Sequence, residues 1–316
     1  MFRKHTRRAA KAAFAISFGV ALLIGLVACG GSGGGNSNST STGSAAGPKP
    51  TIVLGTKNFG EEYILGQLYG QALQAKGFKV VYKGSFGSSE LANVAIKKGK
   101  MNFYPEYTGV VAQDLAGKSP KSAAATYSVA QTFEKGQGLE LLKPTPFFDS
   151  DTFTMLTSTA HKLGVKTIAD MKGHPFSFAA LPECDQRITC ILGFKKVYHL
   201  SNIKFVPDSS ISVYTLLDRG TVTAGDGFST DPQQSSKKYT ELTDTKGIYG
   251  FQNVAPVVSQ KLLKGASGTL LTNTCNAVSA KLTLAAMQAM NRAYVVDKAT
   301  PKQIAHGFLA ANGLLG

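Results

Sequence analysis

The stretch TIVLGTKNFGEEYILGQLYGQALQAKGFKV, residues 51–80, decides the fold. TIVLG (51–55) is a short uncharged run of strand length. From Glu61 to Lys76, residues Ile64, Leu65, Leu68, Tyr69, Ala72 and Leu73 recur at helical spacing, and Gly77 is a suitable stop. FKVVYK (78–83) reads as a second strand. Working outward, SSELANVAIKKG (88–99) is a second helix and MNFY (101–104) a third strand. Strand, helix, strand, helix, strand implies βαβ units on a parallel sheet, hence an α/β fold. Ligands of such sheets sit beyond the carboxyl ends of the strands. The run Tyr104-Pro105-Glu106-Tyr107-Thr108-Gly109 follows such an end. Pro105 cannot donate to a ladder, so this aromatic and acidic cluster is expected beyond the strand, where a site would be.

A helical stretch follows near 122–136, and the alternation restarts after Asp149. FTMLTS (153–158), FSFAA (176–180), IKFVP (203–207) and TAGDG (223–227) are strand candidates, with helical stretches near 188–199 and 212–219. VAPVVS (254–259) is one more strand, and helices are expected over 279–297 and 301–312. Two α/β units emerge, joined near 149–152 and 250–255. The divisions are 51–150 for the first lobe, 151–253 for the second, and 254–316 for a return to the first.

Before residue 51 the chain has a different character. Arg3, Lys4, Arg7, Arg8 and Lys11 precede an uncharged stretch from Ala12 to Ala28. That stretch is short for a membrane span, which needs about 20 apolar residues, and 1–28 reads as a secretory signal. Leu26-Val27-Ala28-Cys29 resembles a bacterial lipobox, in which the Cys thiol takes a diacylglycerol. Residues 29–50 then read as the lipidated Cys and a flexible Gly/Ser tether. The expected location is extracytoplasmic, lipid-anchored to the cell membrane.

The formal charge is +15. Losing the five basic residues of the signal leaves +10. An exported chain with scattered lysines does not meet nucleic acid, so these charges read as a solvated surface. Cys184 and Cys190, six apart in PECDQRITC, are expected to pair in an oxidising compartment. Cys275 is left as a buried small hydrophobe. The five His residues show no metal spacing, and no metal or cofactor is expected. Outside the Gly-rich tether G-x-S-x-G is absent from the sequence, as are H-E-x-x-H and phosphate-loop patterns, so the chain does not read as an enzyme.

The combination TKNF…YPEYTG…TDP…APVV resembles the substrate-binding proteins of quaternary-amine ABC importers, the glycine betaine, choline and carnitine group. The resemblance covers 51–316. It implies a two-lobed periplasmic-binding-protein fold of the second type, each lobe a mostly parallel sheet flanked by helices, with the ligand in the inter-lobe cleft. It also implies the partners: a small quaternary amine, the importer's permease subunits, and the membrane through the lipid. A monomer is expected.

The resemblance assigns roles to residues. Tyr107 stands as one wall of an aromatic box around a trimethylammonium group, which has no N–H to donate and is recognised by ring faces. Phe153 and Phe228 stand where the family usually has Tyr, and Gln252 where it often places a fourth aromatic. Asp151 faces the cation. Lys57 and Arg187 hold a ligand carboxylate, and Val110 replaces a Thr or Asp. An ammonium box with two cations beyond it implies a glycine-betaine-like zwitterion in preference to choline. The alternatives are choline, carnitine, another trimethyl betaine or amine, or a ligand sensor outside transport.

Overall fold

The computed structural model describes residues 49–316. The signal, Cys29 and nearly all of the tether lie outside the described residues. Ten strands form two five-stranded sheets. The first holds β1 (Ile52–Thr56), β2 (Val80–Ser85), β3 (Phe103–Tyr107), β4 (Leu139–Leu141) and β10 (Val254–Ser259), in the order β2-β1-β3-β10-β4. The second holds β5 (Asp151–Leu156), β6 (Phe176–Ala180), β7 (Ile203–Pro207), β8 (Ala224–Phe228) and β9 (Tyr239–Leu242), in the order β7-β6-β8-β5-β9.

Both sheets are mixed, where a mostly parallel arrangement was expected. β10 runs antiparallel to β3 and β4, and β5 antiparallel to β8 and β9. The cause is where the chain crosses. β3 and β8 run toward the cleft and end there at Tyr107 and Phe228. Their partners begin at that same edge, with Val254 opposite Tyr107 and Asp151 opposite Phe228. A strand that starts at the crossing has to run away from it. The two crossing segments touch, with Phe148 bridging Asn253 and the Asp149 N–H donating to the Gln252 carbonyl at 3.0 Å.

Helices α1 (Gly60–Ala75), α2 (Ser89–Lys97), α3 (Thr108–Val110) and α4 (Ala123–Lys135) belong to the first lobe. Helices α5 (Thr157–Leu163), α6 (Ile191–Lys196) and α7 (Val213–Asp218) belong to the second. The first lobe is completed by α8 (Gly265–Lys281), α9 (Leu284–Val295) and α10 (Pro301–Ala311). The apolar stripe of α1 buries Ile64, Leu65, Leu68 and Leu73 against Ile52 and Leu54 of β1 and against Leu271, Val278 and Leu309. Tyr69 completes that face, and its hydroxyl pairs with Ser279 Oγ at 2.9 Å. Burial pushes the Cys275 thiol up, as for an inert core residue.

Two expectations about elements fail for identifiable reasons. Pro105 lies inside β3, not beyond it, and Pro105 faces Pro256 of β10. The Thr108 N–H donates to the Asn253 carbonyl at 2.9 Å, which sets the alternation of the ladder. Two and three pairs further on, Glu106/Ala255 exchanges bonds and Pro105/Pro256 does not, so neither proline removes a bond between these strands. The single helix expected over 279–297 is two. Leu282 has extended backbone, and Thr283 caps α9 by accepting the Ala286 N–H. α8 begins at Gly265, in a Gly- and Thr-rich run of low helix propensity, and packing of Leu271, Cys275 and Val278 holds it.

Candidate functional site

The cleft is built from strand ends. β1 stops at Thr56, and Lys57-Asn58-Phe59 turn into α1, with Phe59 extended at its N-cap. β3 delivers Tyr107, β5 opens at Asp151, and β8 ends at Phe228. Between the lobes these residues enclose a cavity of about 50 Å³, bordered also by Arg187, Gln252, Asp226 and the Cys184–Cys190 disulfide. Lys57, Tyr107, Asp151, Arg187, Phe228 and Gln252 therefore come together. Phe153 does not.

Phe153 lies two residues further along β5 than Asp151, about 6–7 Å deeper into the lobe. It is 0 % exposed. Its ring centroid lies 5.0–5.5 Å from those of Phe176, Phe178 and Phe194. It is a core residue of the second lobe and no wall of the cleft. A different aromatic takes part, one that the sequence reading passed over. Phe59 stacks on Phe228 across the cleft, with centroids 6.0 Å apart and planes 8° apart, and lies 6.0 Å from Tyr107. The signal was available, since Phe59 sits at a strand end outside any helical period.

Lys57 and Arg187 are both committed. Lys57 is 3 % exposed. Its ammonium bonds the Glu106 carboxylate and Ser89 Oγ (3.2 Å), lies 3.8 Å from Glu62, and sits 4.1 Å from the Tyr107 ring centroid. Burial pushes Glu62 up to about 8, against the opposing pull of Lys57. Arg187 makes a bidentate pair with Glu90 on α2, at 3.0 and 3.1 Å. Burial pushes the Glu90 carboxyl up, but the Arg187 hydrogen bonds and charge outweigh it and hold the group down at about 2. The next two residues also grip the first lobe. The Ile188 N–H and Thr189 hydroxyl donate to Asp114 at 3.1 and 3.0 Å.

Gln252 is likewise a brace. Its Oε1 accepts the Val110 N–H at 3.0 Å and its Nε2 donates to the Tyr249 carbonyl at 3.1 Å. That explains the glycine of YTG. A Cβ on Gly109 would lie 2.5 Å from the Gln252 amide. Tyr107 holds its ring by donating its hydroxyl to Glu61 at 2.8 Å, and Asn291 donates to the same carboxylate at 2.7 Å. Glu61 and Glu62, the acids in the first turn of α1, are thus structural parts of the site.

The remaining charge is negative. Burial raises Asp151 to about 7, with Arg187 pulling the other way. Burial, then the neighbouring Asp151, raises Asp226 well above the ordinary range. Asp226 Oδ1 is buried without a hydrogen-bond partner. Among the described residues, both cations lining this cavity already carry carboxylate partners, while Asp151 and Asp226 carry no ion pair.

Two lobes with strand-end loops facing a closed cleft have a counterpart in sequence. Residues 50–311 match the model of the substrate-binding domain of the ABC-type glycine betaine transport system. The chain belongs to that family. Its members are solute-binding components of importers, not enzymes. The chain is 28% identical over 283 residues to a glycine-betaine-binding protein of Pseudomonas aeruginosa, covering 84% of this chain and 89% of that one. It is 25% identical over 281 residues to the glycine betaine-binding protein YehZ of Escherichia coli, covering 83% and 90%. Among solved structures, a glycine betaine/carnitine/choline ABC transporter protein superposes with TM-score 0.66 at 19% identity, over 84% of this chain and 100% of that one. Lactococcal OpuAC, closed on glycine betaine, gives 0.60 at 16%, over 85% and 98%. These structures share the two-lobed α/β fold of type II periplasmic binding proteins. No helix among the described residues is long and apolar enough to cross a membrane.

Proposed function

We propose that this chain captures a quaternary-ammonium osmoprotectant of the glycine betaine and choline class outside the cytoplasm and passes it to the permease of an ABC importer. The observation that carries this reading is the meeting of Phe59 and Tyr107 from one lobe with Phe228 from the other, beside Asp151 and Asp226. A methylated ammonium has no proton to donate, and ring faces with nearby carboxylates are what can hold it. The relatives named for glycine betaine support the same class.

Within the class, charge favours choline over glycine betaine. The zwitterion implied by the resemblance rested on Lys57 and Arg187 being open to a carboxylate. With Glu106 and Glu90 holding them, a ligand carboxylate would have to displace the buried Glu106 or the bidentate Glu90, or sit unpaired beside two aspartates, and each is costly. Titration calorimetry tests this. Choline should bind more tightly than glycine betaine, and Phe228→Ala should weaken choline by about 0.5–2 kcal/mol, the loss of one ring. If neither compound bound, the reading would be wrong. If glycine betaine bound more tightly, the charge argument alone would fall.

The lipid anchor at Cys29 belongs to the same proposal, supported by the run Leu26–Cys29 and the tether after it. Cys29→Ser should move the protein from the membrane fraction to the soluble one. Unchanged membrane association would remove the anchor from this account.

A further inference from the structure

The fold gathers lysines that look scattered in the sequence. Residues 49–150 and 254–316, the first lobe, hold 18 Lys and Arg against 9 Asp and Glu, whereas residues 151–253 hold 11 against 10. The surface is more lopsided still. Of the first lobe's acids, Glu61, Glu62, Glu106, Glu134 and Asp149 are buried. Glu90 and Asp114 are turned to Arg187, Ile188 and Thr189 of the second lobe. That leaves Glu140 and Asp297 for the outer surface, and Glu140 pairs with Lys135 at 3.5 Å. Among the described residues, Lys57 is the one buried cation of this lobe.

The excess collects on one rim. β1, β2 and β3 are parallel, and β10 runs antiparallel to β3 and β4. Four strands of the first sheet therefore begin, and β10 ends, at the edge away from the cleft. Hydrogen bonds join that edge from strand to strand. The Ile52 N–H donates to the Lys79 carbonyl at 2.8 Å and Asn102 Nδ2 to the Thr51 carbonyl at 3.0 Å. The Ser259 N–H donates to the Asn102 carbonyl at 2.9 Å and the Gln260 N–H to the Gly138 carbonyl at 3.2 Å. Lys79 and Lys100 stand at the entries to β2 and β3, Lys97 and Lys98 where α2 leads into β3, and Lys261 and Lys264 just beyond β10. All six are exposed, and among the described residues none makes an ion pair. Like charges on one edge add to a single positive field.

The chain enters β1 at this same rim, at Ile52. The segment between Cys29 and β1 reads from its composition as a tether, and a coil of about 20 such residues would span roughly 25 Å. A lipid on Cys29 would hold the rim, not the cleft, within reach of a bilayer. We infer that the lysine rim of the first lobe docks on the anionic headgroups of the membrane that carries the anchor. The choice of a bilayer as partner rests on the anchor proposed above. Each lysine near an anionic surface strengthens binding by about fivefold, and a tether keeps the domain at a high effective concentration beside that surface. The attraction is screened over about 8 Å at physiological salt, so it orients the protein and does not replace the anchor. Rim and cleft lie at opposite ends of the strands, so the docked protein keeps its cleft clear of the headgroups.

Sedimentation with phosphatidylcholine vesicles, with and without phosphatidylglycerol and at low and physiological salt, tests this on the Cys29→Ser chain. A rim variant adds Lys79→Glu, Lys98→Glu and Lys100→Glu. A control adds Lys172→Glu, Lys195→Glu and Lys204→Glu, all exposed on the second lobe. The two variants have equal net charge, and residues 1–28 are common to all three proteins, so the comparison reads the rim alone. Phosphatidylglycerol should strengthen binding of the parent by about tenfold or more, and salt should shrink the gain. The rim variant should lose about tenfold or more and the control less than about threefold. Equal losses in the two variants, or no gain from phosphatidylglycerol, would overturn the proposal. So would rim-dependent binding of poly(glycerol phosphate) without binding of vesicles, which would make a wall polymer the partner. No quaternary amine and no lipid on Cys29 enters the measurement, so its failure leaves the ligand reading and the anchor standing. Should the rim variant fail to fold, Lys79→Gln, Lys98→Gln and Lys100→Gln take its place, with the same expected direction.

Discussion

Lys57→Met is expected to destabilise the protein by about 3–5 kcal/mol, as removal of one partner of a buried ion pair does. Glu106 is 0 % exposed and receives the Lys57 ammonium, the Ser89 hydroxyl and the Tyr107 N–H. Among the described residues no other cation pairs with its carboxylate, and Glu62 loses the same neighbour. Adding Glu106→Gln should recover much of the loss, because the amide needs no countercharge. Urea unfolding of the single and double variants measures this. The experiment also separates two roles for Lys57. A lysine that clamps a ligand would cost little stability and much affinity, and that outcome would contradict the pairing with Glu106 as its main task.

Phe153→Ala is expected to cost a similar amount, about 3–5 kcal/mol, by opening a cavity among Phe176, Phe178 and Phe194. The informative companion is Phe153→Leu, which keeps most of the volume and should cost less than about 1.5 kcal/mol. Choline affinity in Phe153→Leu should match that of the unmodified protein, because the ring lies below the cleft and not in it. A loss of affinity in Phe153→Leu without a drop in melting temperature would return Phe153 to the aromatic box.

Much of the architecture was legible because the first lobe repeats strand and helix periods cleanly. The stripe Ile64–Leu65–Leu68–Leu73 needs only 3.6-residue spacing to be seen, and β6 and β7 coincide with their apolar runs. The hidden parts depend on partners distant in sequence. Nothing near Pro105 reveals that Pro256 lies opposite and makes its missing donor harmless. The helical character of Gly265–Lys281 comes from the core it covers. At the site, strand-end position brought out the cluster that holds Tyr107, and Asp151 and Phe228 came only from the family resemblance. Phe153 was misplaced because Asp151 and Phe153 share one face of a strand, and local sequence does not say which of the two reaches the rim. Lys57 and Arg187 looked open to a ligand because Glu106 and Glu90 lie 49 and 97 residues away from them. The carboxylates that neutralise a cation are invisible until the chain has folded back.

The Cys184–Cys190 bridge spans only six residues, and the three side by side within it, Arg187, Ile188 and Thr189, are those that reach Glu90 and Asp114 across the cleft. A free loop would have to be ordered each time the lobes met, at a cost of about 1–2 kcal/mol for each backbone position fixed. The covalent ring confines those positions before the lobes approach. Closure therefore draws on a preorganised clasp whose contacts engage as a unit. The energy that ligand binding must supply for shutting the cleft is reduced by a bond that never touches the other lobe.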